Sequence, residues 1–207
     1  PIFESGDADS VFETEGVTLE AVYETPFLSH APMEPPCALA DVRENHTEVW
    51  ASVQDPQSTR SQVAGWLKTD SKNVAINVTL LGGAFGRKSK PDFVLEAVEL
   101  SRRLKRPIRV QWSREHDIQH DYYHAASAQL YRATLDDAGM PKAWLQRTAF
   151  PSITSTFVRG GNNPAGWELE MGFSNTPYRI SNQRFESNGI RPGVRIGWMR
   201  SVCNIFH

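Results

Sequence analysis

The sequence predicts an α+β fold in which helices cover one face of a mixed β-sheet in two layers, and three observations carry that reading. Short apolar runs bounded by Gly, Pro and Asp alternate with amphipathic stretches. Two strand-to-helix passages, at Gln54-Asp55-Pro56 and at residues 81–92, fall in the first half of the chain. A pair of apolar runs within residues 126–150 is joined by a segment of turn-forming residues. At 207 residues the chain has ample length for a sizeable core.

The elements follow in order. Residues 1–19 are acidic and poorly periodic, and residues 1–27 form a lead-in segment. Thr18–Thr25 predicts a strand with Leu19, Val22 and Tyr23 as its apolar positions. Residues 27–40 are extended or looped, because Pro26, Pro32, Pro35 and Pro36 restrict φ and remove donors. Glu48–Val53 alternates as a strand does. Asp55 then caps a helix with Pro56 in its first turn, running to about Lys68 with Val63, Trp66 and Leu67 on one face. Val74–Leu81 is the next strand. Asp92–Leu104 is a helix whose apolar stripe is Phe93, Val94, Ala97, Val98, Leu100 and Leu104. Pro91 lies in its first turn and Pro107 beyond its end. Ile108–Trp112 is a short strand, and Ser113 caps a helical stretch through about His120. Ala126–Leu135 and Lys142–Phe150 make a hairpin across Asp136–Pro141. Beyond Pro151 the chain is loop-rich, with a strand at Tyr178–Glu186. The segments are therefore residues 1–27, 28–150 and 151–207.

Composition excludes several classes. The formal charge is −2 with 22% charged residues, and no basic block interleaved with aromatics points to nucleic acid. No apolar run approaches membrane-spanning length, and the first residues do not read as a signal peptide. Cys37 and Cys203 are too far apart in sequence for a disulfide framework or metal knuckle and are expected as two isolated buried thiols. The chain starts at Pro1 and stops at Asn204-Ile205-Phe206-His207 without a polar tail, so a segment of a longer polypeptide is expected.

The most informative stretch is Leu81-Gly82-Gly83-Ala84-Phe85-Gly86-Arg87-Lys88-Ser89. A strand that breaks into glycines before a helix offers bare N–H groups and a positive helix end to an anion such as phosphate or pyrophosphate. Gly82, Gly83 and Gly86 can take positive φ there. Both common nucleotide motifs fail on spacing, and a tight turn without ligand fits equally well. Gln54 ends the preceding strand-to-helix passage; if the two strands are neighbours, Gln54 lies beside the glycine backbone at the sheet edge that ligands favour. Arg200, within Gly197-Trp198-Met199-Arg200-Ser201, can clamp an anion or make an ordinary ion pair. His116, His120 and His124 recur at intervals of four, yet Tyr122-Tyr123 ends the helix before His124, and a solvated polar face is the better reading. No nucleophile elbow, reactive cysteine or acid–base carboxylate pair stands out.

Taken together the motifs resemble the molybdenum-binding subunit of the xanthine dehydrogenase and aldehyde oxidase family, most closely the branch of isoquinoline 1-oxidoreductase β subunits and membrane-associated aldehyde dehydrogenases. The resemblance runs from about Leu28 to the C-terminus. Its landmarks are His30–Pro35, Gln54–Gln57, Gly82–Arg87, Ser113–Ile118 and Trp198–Val202, which stand in the family's order. It implies the two-layer α/β molybdopterin-binding domain of that family, with residues 28–150 as its first half and 151–207 as its continuation. It also implies a molybdenum cofactor that hydroxylates an aldehyde or N-heteroaromatic carbon with oxygen from water, passing electrons to iron–sulfur clusters in other domains. Gln54 is then expected beside the metal's ligands, Gly82, Gly83, Ala84, Phe85 and Gly86 around the metal and pterin with Phe85 walling the substrate channel, and Arg200 with its backbone near the metal. The implied partners are the remainder of the catalytic subunit, an iron–sulfur subunit and, in some relatives, a cytochrome c subunit.

Three departures qualify the resemblance. Ala84 stands where the family usually has a third glycine, and Val202 where many relatives have an aromatic. Ser89 stands where the purine-oxidising branch has Glu, which argues against purines. The family's catalytic glutamate, the general base, lies beyond His207, so no catalytic residue is assigned in this chain, which is expected neither to turn over nor to retain the cofactor alone. A non-catalytic binding or assembly module is the competing expectation, and an unrelated nucleotide-binding domain the weakest. The compartment stays open, with export to the periplasm known among relatives of this branch.

Overall fold

Along the chain the secondary structure runs β1 (Phe3–Ser5), α1 (Ala8–Thr14), β2 (Val17–Thr25), β3 (Cys37–Val42), β4 (Thr47–Ala51), α2 (Pro56–Leu67), β5 (Val74–Val78), α3 (Asp92–Leu104), β6 (Ile108–Gln111), α4 (Arg114–Gln119), β7 (Ser127–Leu135), β8 (Pro141–Phe150), α5 (Gly166–Leu169) and β9 (Asn182–Gly189). This computed structural model describes every residue except Glu15. The chain divides into two units: Ser29–Tyr123, continuous in sequence, and Pro1–Leu28 together with His124–His207. The division differs from the segments 1–27, 28–150 and 151–207 expected above, because the hairpin of β7 and β8 pairs with strands from both chain ends.

In the continuous unit the strand order is β5-β4-β3-β6, with β4 and β5 parallel and the other pairs antiparallel. Helices α2 and α3 form the second layer. Asp55 caps α2 by accepting from Ser58 N at 2.9 Å, as the sequence indicates. The core joins Ala38, Ala40, Val49 and Ala51 of the sheet to Val63 and Ala64 of α2 and Phe93, Val94, Ala97 and Val98 of α3. Some apolar positions differ from expectation. Leu100 and Leu104 are 42% and 53% exposed, and buried Ser101 takes the core place, donating to Arg106 O and accepting from Val42 N. Trp66 also turns outward, its indole N–H donating to Glu99 Oε2 at 3.1 Å. Strand β3 arises inside the stretch read as loop. Its inward residues are the small Ala38 and Ala40, which let α3 approach closely but give no strand-like pattern of large apolar side chains.

The discontinuous unit has the strand order β1-β9-β8-β7-β2, antiparallel except for β8 and β9. Leu28 and His124 exchange backbone hydrogen bonds, so the chain leaves and re-enters this unit at one point. The turn joining β7 to β8 closes on Asp136, whose N–H donates to Met140 O at 2.9 Å, with Gly139 at a φ of 77°. Its core gathers Phe150, Ile153, Leu169, Phe173, Phe185, Cys203 and Phe206. Residues 1–19, acidic and poorly periodic in sequence, supply β1 and α1, and β9 starts at Asn182 rather than Tyr178. Cys37 and Cys203 are both free thiols; only Cys203 is buried as expected, Cys37 on β3 being half-buried, and burial pushes the Cys203 thiol up to about 12. No helix among the described residues is long and apolar enough to cross a membrane.

Candidate functional site

Because β4 and β5 are parallel neighbours, with Ala51 opposite Val78, their C-terminal ends open on the same edge of the sheet. Thr79 N donates to Ala51 O at 3.2 Å and extends the pairing by one residue before the chain enters the glycine loop. Gln54 accordingly lies beside the glycine backbone. Its N–H donates to Lys88 O and its Oε1 accepts from Gly86 N, each at 3.0 Å. This second bond fixes the carboxamide: the oxygen is engaged, and Nε2 remains a donor without a partner among the described residues.

The other end of the loop is held by a residue to which the sequence assigned no role. Gly82 N donates to Glu34 Oε2 at 3.0 Å, and Gly82 O accepts from Glu34 N at 2.9 Å. A Cβ at Gly82 would lie 2.5 Å from Glu34 Cβ, so only glycine admits this approach. Positive φ, expected at Gly82, Gly83 and Gly86, occurs instead at Gly83 (94°), Phe85 (56°) and Gly86 (112°), while Gly82 is required by close packing. For Phe85 this left-handed conformation costs about 1–2 kcal/mol, and its ring stays 47% exposed.

Between these two anchors the N–H groups of Gly83, Ala84 and Phe85 donate no hydrogen bond among the described residues. Ala84 is nonetheless buried, with its carbonyl accepting from Arg87 N at 2.9 Å. The loop does not run straight into α3, as the sequence suggested. A 3-10 turn at Arg87–Ser89 and Pro91 intervene, and Asp92 in the first turn of α3 is ion-paired with Arg87. The donors that the loop offers are therefore its own amides rather than the end of a helix.

Arg87 is fully buried. Its guanidinium bonds both oxygens of Asp92 at 2.8 and 3.0 Å, reaches Asp121 Oδ1 at 2.9 Å, and lies over the rings of Trp112 and Tyr122. Asp121 in turn accepts from His30 N, His30 Nδ1 and Ser29 Oγ. Burial pushes the Asp121 carboxyl up, but the His30 contacts and the Ser29 hydroxyl outweigh it and hold it below the usual aspartate range. Arg114 donates to Pro32 O and Met33 O and pairs with Asp117. Burial and the Asp121 charge push Asp117 up.

Four of the five landmark motifs thus lie in the continuous unit: Arg87 and Asp121 join the glycine loop to the His30 segment, Gly86 N and Lys88 O hold Gln54, and Arg114 joins its own motif to Pro32 and Met33. Arg200 belongs to the other unit, where it is exposed and follows Met199, whose N–H lies 3.3 Å from His124 Nδ1. His116 and His120 sit with ring centroids 6.0 Å apart, and no group of three metal-ligating side chains occurs among the described residues. His116 and His120 are exposed as the polar-face reading expects, whereas Asp117, Asp121 and His124 are buried and do not belong to a solvated face.

Residues 2–192 match the family described as the molybdopterin cofactor-binding domain. The chain is 32% identical to a nicotinate dehydrogenase subunit of Pseudomonas putida over 97% of its length. It is 25% identical to the β subunit of isoquinoline 1-oxidoreductase from Brevundimonas diminuta over 96%. It spans 17% and 26% of the length of those two relatives. Among solved structures, the aldehyde oxidoreductase of Desulfovibrio gigas shares the fold with a TM-score of 0.73 at 16% identity, covering 97% of this chain and 22% of that one.

Proposed function

The chain belongs to the molybdopterin cofactor-binding domain family, and from that premise we propose that Gly83–Phe85 and Gln54 form part of the cofactor site of a molybdenum hydroxylase catalytic subunit. The observation that carries this reading is the run of three amides without an acceptor among the described residues, held between Gly82 and Gly86, with the Gln54 Nε2 donor alongside. That donor set suits an anionic, oxygen-rich group, because every group presented is an N–H. When bound, the cofactor supplies a redox-active metal able to accept an electron pair. The chain's own residues bind and orient. The Gly83, Ala84 and Phe85 amides donate to the anionic group, Gln54 Nε2 donates to an oxygen on it, and the half-exposed Phe85 ring gives substrate an apolar wall.

Aldehydes and N-heteroaromatics are the substrate classes this reading favours, in line with the names the relatives carry. Against purines the support is the identity of Ser89 alone, where the purine-oxidising branch has Glu; its hydroxyl donates to Gly86 O within the loop. For Arg200 the support is the motif Trp198–Val202 alone. No general base is assigned within residues 1–207. The further partners of this reading are the remaining catalytic subunit, an iron–sulfur subunit and a cytochrome c subunit.

The test is Gln54→Ala in the full-length protein. Gln54 is exposed, so the melting temperature is expected to hold while turnover or molybdenum retention falls about 10–100-fold. A fall in melting temperature with turnover and metal content unchanged would refute the assignment.

A further inference from the structure

Lys88 is fully buried, and its ammonium donates to only two groups among the described residues: the Glu34 carboxylate and Ser52 Oγ, the latter at 3.0 Å. The same carboxylate oxygen, Glu34 Oε2, also accepts from Ser52 Oγ at 3.0 Å and from Gly82 N at 3.0 Å. One oxygen therefore ties together the segment Ser29–Pro36, the C-terminal end of β4, the entrance of the glycine loop and the 3-10 turn that follows it. Burial pushes the Glu34 carboxyl up, but Lys88, the Gly82 amide and the Ser52 hydroxyl outweigh it and keep it below the usual glutamate value.

We propose that Glu34, with Lys88 as its counter-charge, is the positioning residue of the glycine loop: it fixes the Gly82 peptide so that the next three amides face a ligand already ordered. The inference rests on the reading of the loop as a cofactor site and adds the device that sets its geometry. Two features carry it. Glu34 grips the Gly82 peptide from both sides, donating from its backbone to the carbonyl and accepting at its side chain from the amide. Gly82 lacks the one atom that would block this grip. The ammonium has a second consequence. A bare carboxylate at the loop entrance would repel an anionic ligand, and Lys88 cancels that charge without itself reaching the ligand, since it is fully buried. Lys88 is thus a structural counter-ion and not a ligand-binding lysine of the kind found in phosphate loops.

The experiment uses the full-length protein with two variants, Glu34→Ala and the double variant E34Q/K88M. The double variant keeps an amide oxygen for Gly82 N–H and leaves no buried ammonium unpaired. Hydrogen exchange on cofactor-free protein reads loop order, and molybdenum per polypeptide reads occupancy. Glu34→Ala is expected to speed exchange in peptides covering residues 79–87 about tenfold or more, with α2 and α3 unchanged. Molybdenum occupancy is expected to fall with it, and E34Q/K88M to restore both towards wild type. Wild-type exchange in Glu34→Ala, or acceleration spread evenly over the whole unit, would overturn the proposal. So would E34Q/K88M exchanging in the loop as fast as Glu34→Ala. If Glu34→Ala does not accumulate, E34Q/K88M decides: near wild-type loop exchange supports the proposal, and tenfold faster exchange overturns it. Wild-type protein free of molybdenum would count against the cofactor reading while leaving the exchange result to judge Glu34.

Discussion

Gly82 and Phe85 show how differently two positions of one loop are constrained. At Gly82 the constraint is space, because an added Cβ would stand 2.5 Å from Glu34 Cβ. Gly82→Ala is therefore expected to cost about 1–3 kcal/mol in denaturant titrations, as overpacking does; a change under about 0.5 kcal/mol would mean the Glu34 contact yields freely. At Phe85 the constraint is conformational, a left-handed φ of 56° in a half-exposed aromatic. The glycine pattern made the loop legible in the sequence, and Gln54 was placed beside it from strand adjacency alone. Glu34 was legible only as a member of the His30–Pro35 motif, because its partner lies 48 residues away and only the folded chain shows what fills the space at Gly82.

Helix α2 was legible from Asp55-Pro56, and the structure shows why: Asp55 Oδ1 accepts from Ser58 N at 2.9 Å. Asp55→Ala is expected to destabilise by about 1 kcal/mol, measured by denaturant midpoint; no measurable change would show that the cap is dispensable. In α3 the apolar stripe was mostly legible, but Leu100 and Leu104 were assigned inward when Ser101 holds the inner position through two hydrogen bonds. Val98→Ala, at a fully buried site, should cost about 2 kcal/mol, and Leu100→Ala less than about 0.5 kcal/mol. Comparable losses at the two positions would put Leu100 on the buried face, as the sequence suggests. Strand β3 was hidden because Ala38 and Ala40 fill its inward positions and offer no strand-like alternation.

For the molecule as a whole, local periodicity reported elements but not which strands pair. The parallel pairing of β8 with β9 and the pairing of β1 with β9 join distant segments, and so the two-unit organisation was not legible. The acid response follows from the buried charges. Glu34 and Asp121 both sit below their usual values, so the unfolded chain binds protons first as pH falls. Their stabilisation is complete above the ordinary carboxylate range of about pH 4 and is lost as pH falls through their lower folded values. Melting temperature is thus expected to drop on acidification below about pH 4, with a shallower drop in E34Q/K88M; an equally steep drop would remove Glu34 from the acid response. The most direct measurement of the central claim is anomalous scattering at the molybdenum edge from crystals of the full-length protein. The metal is expected beside Gln54 Nε2 and the Gly83–Phe85 amides. Molybdenum bound elsewhere, with those donors facing solvent, would contradict it.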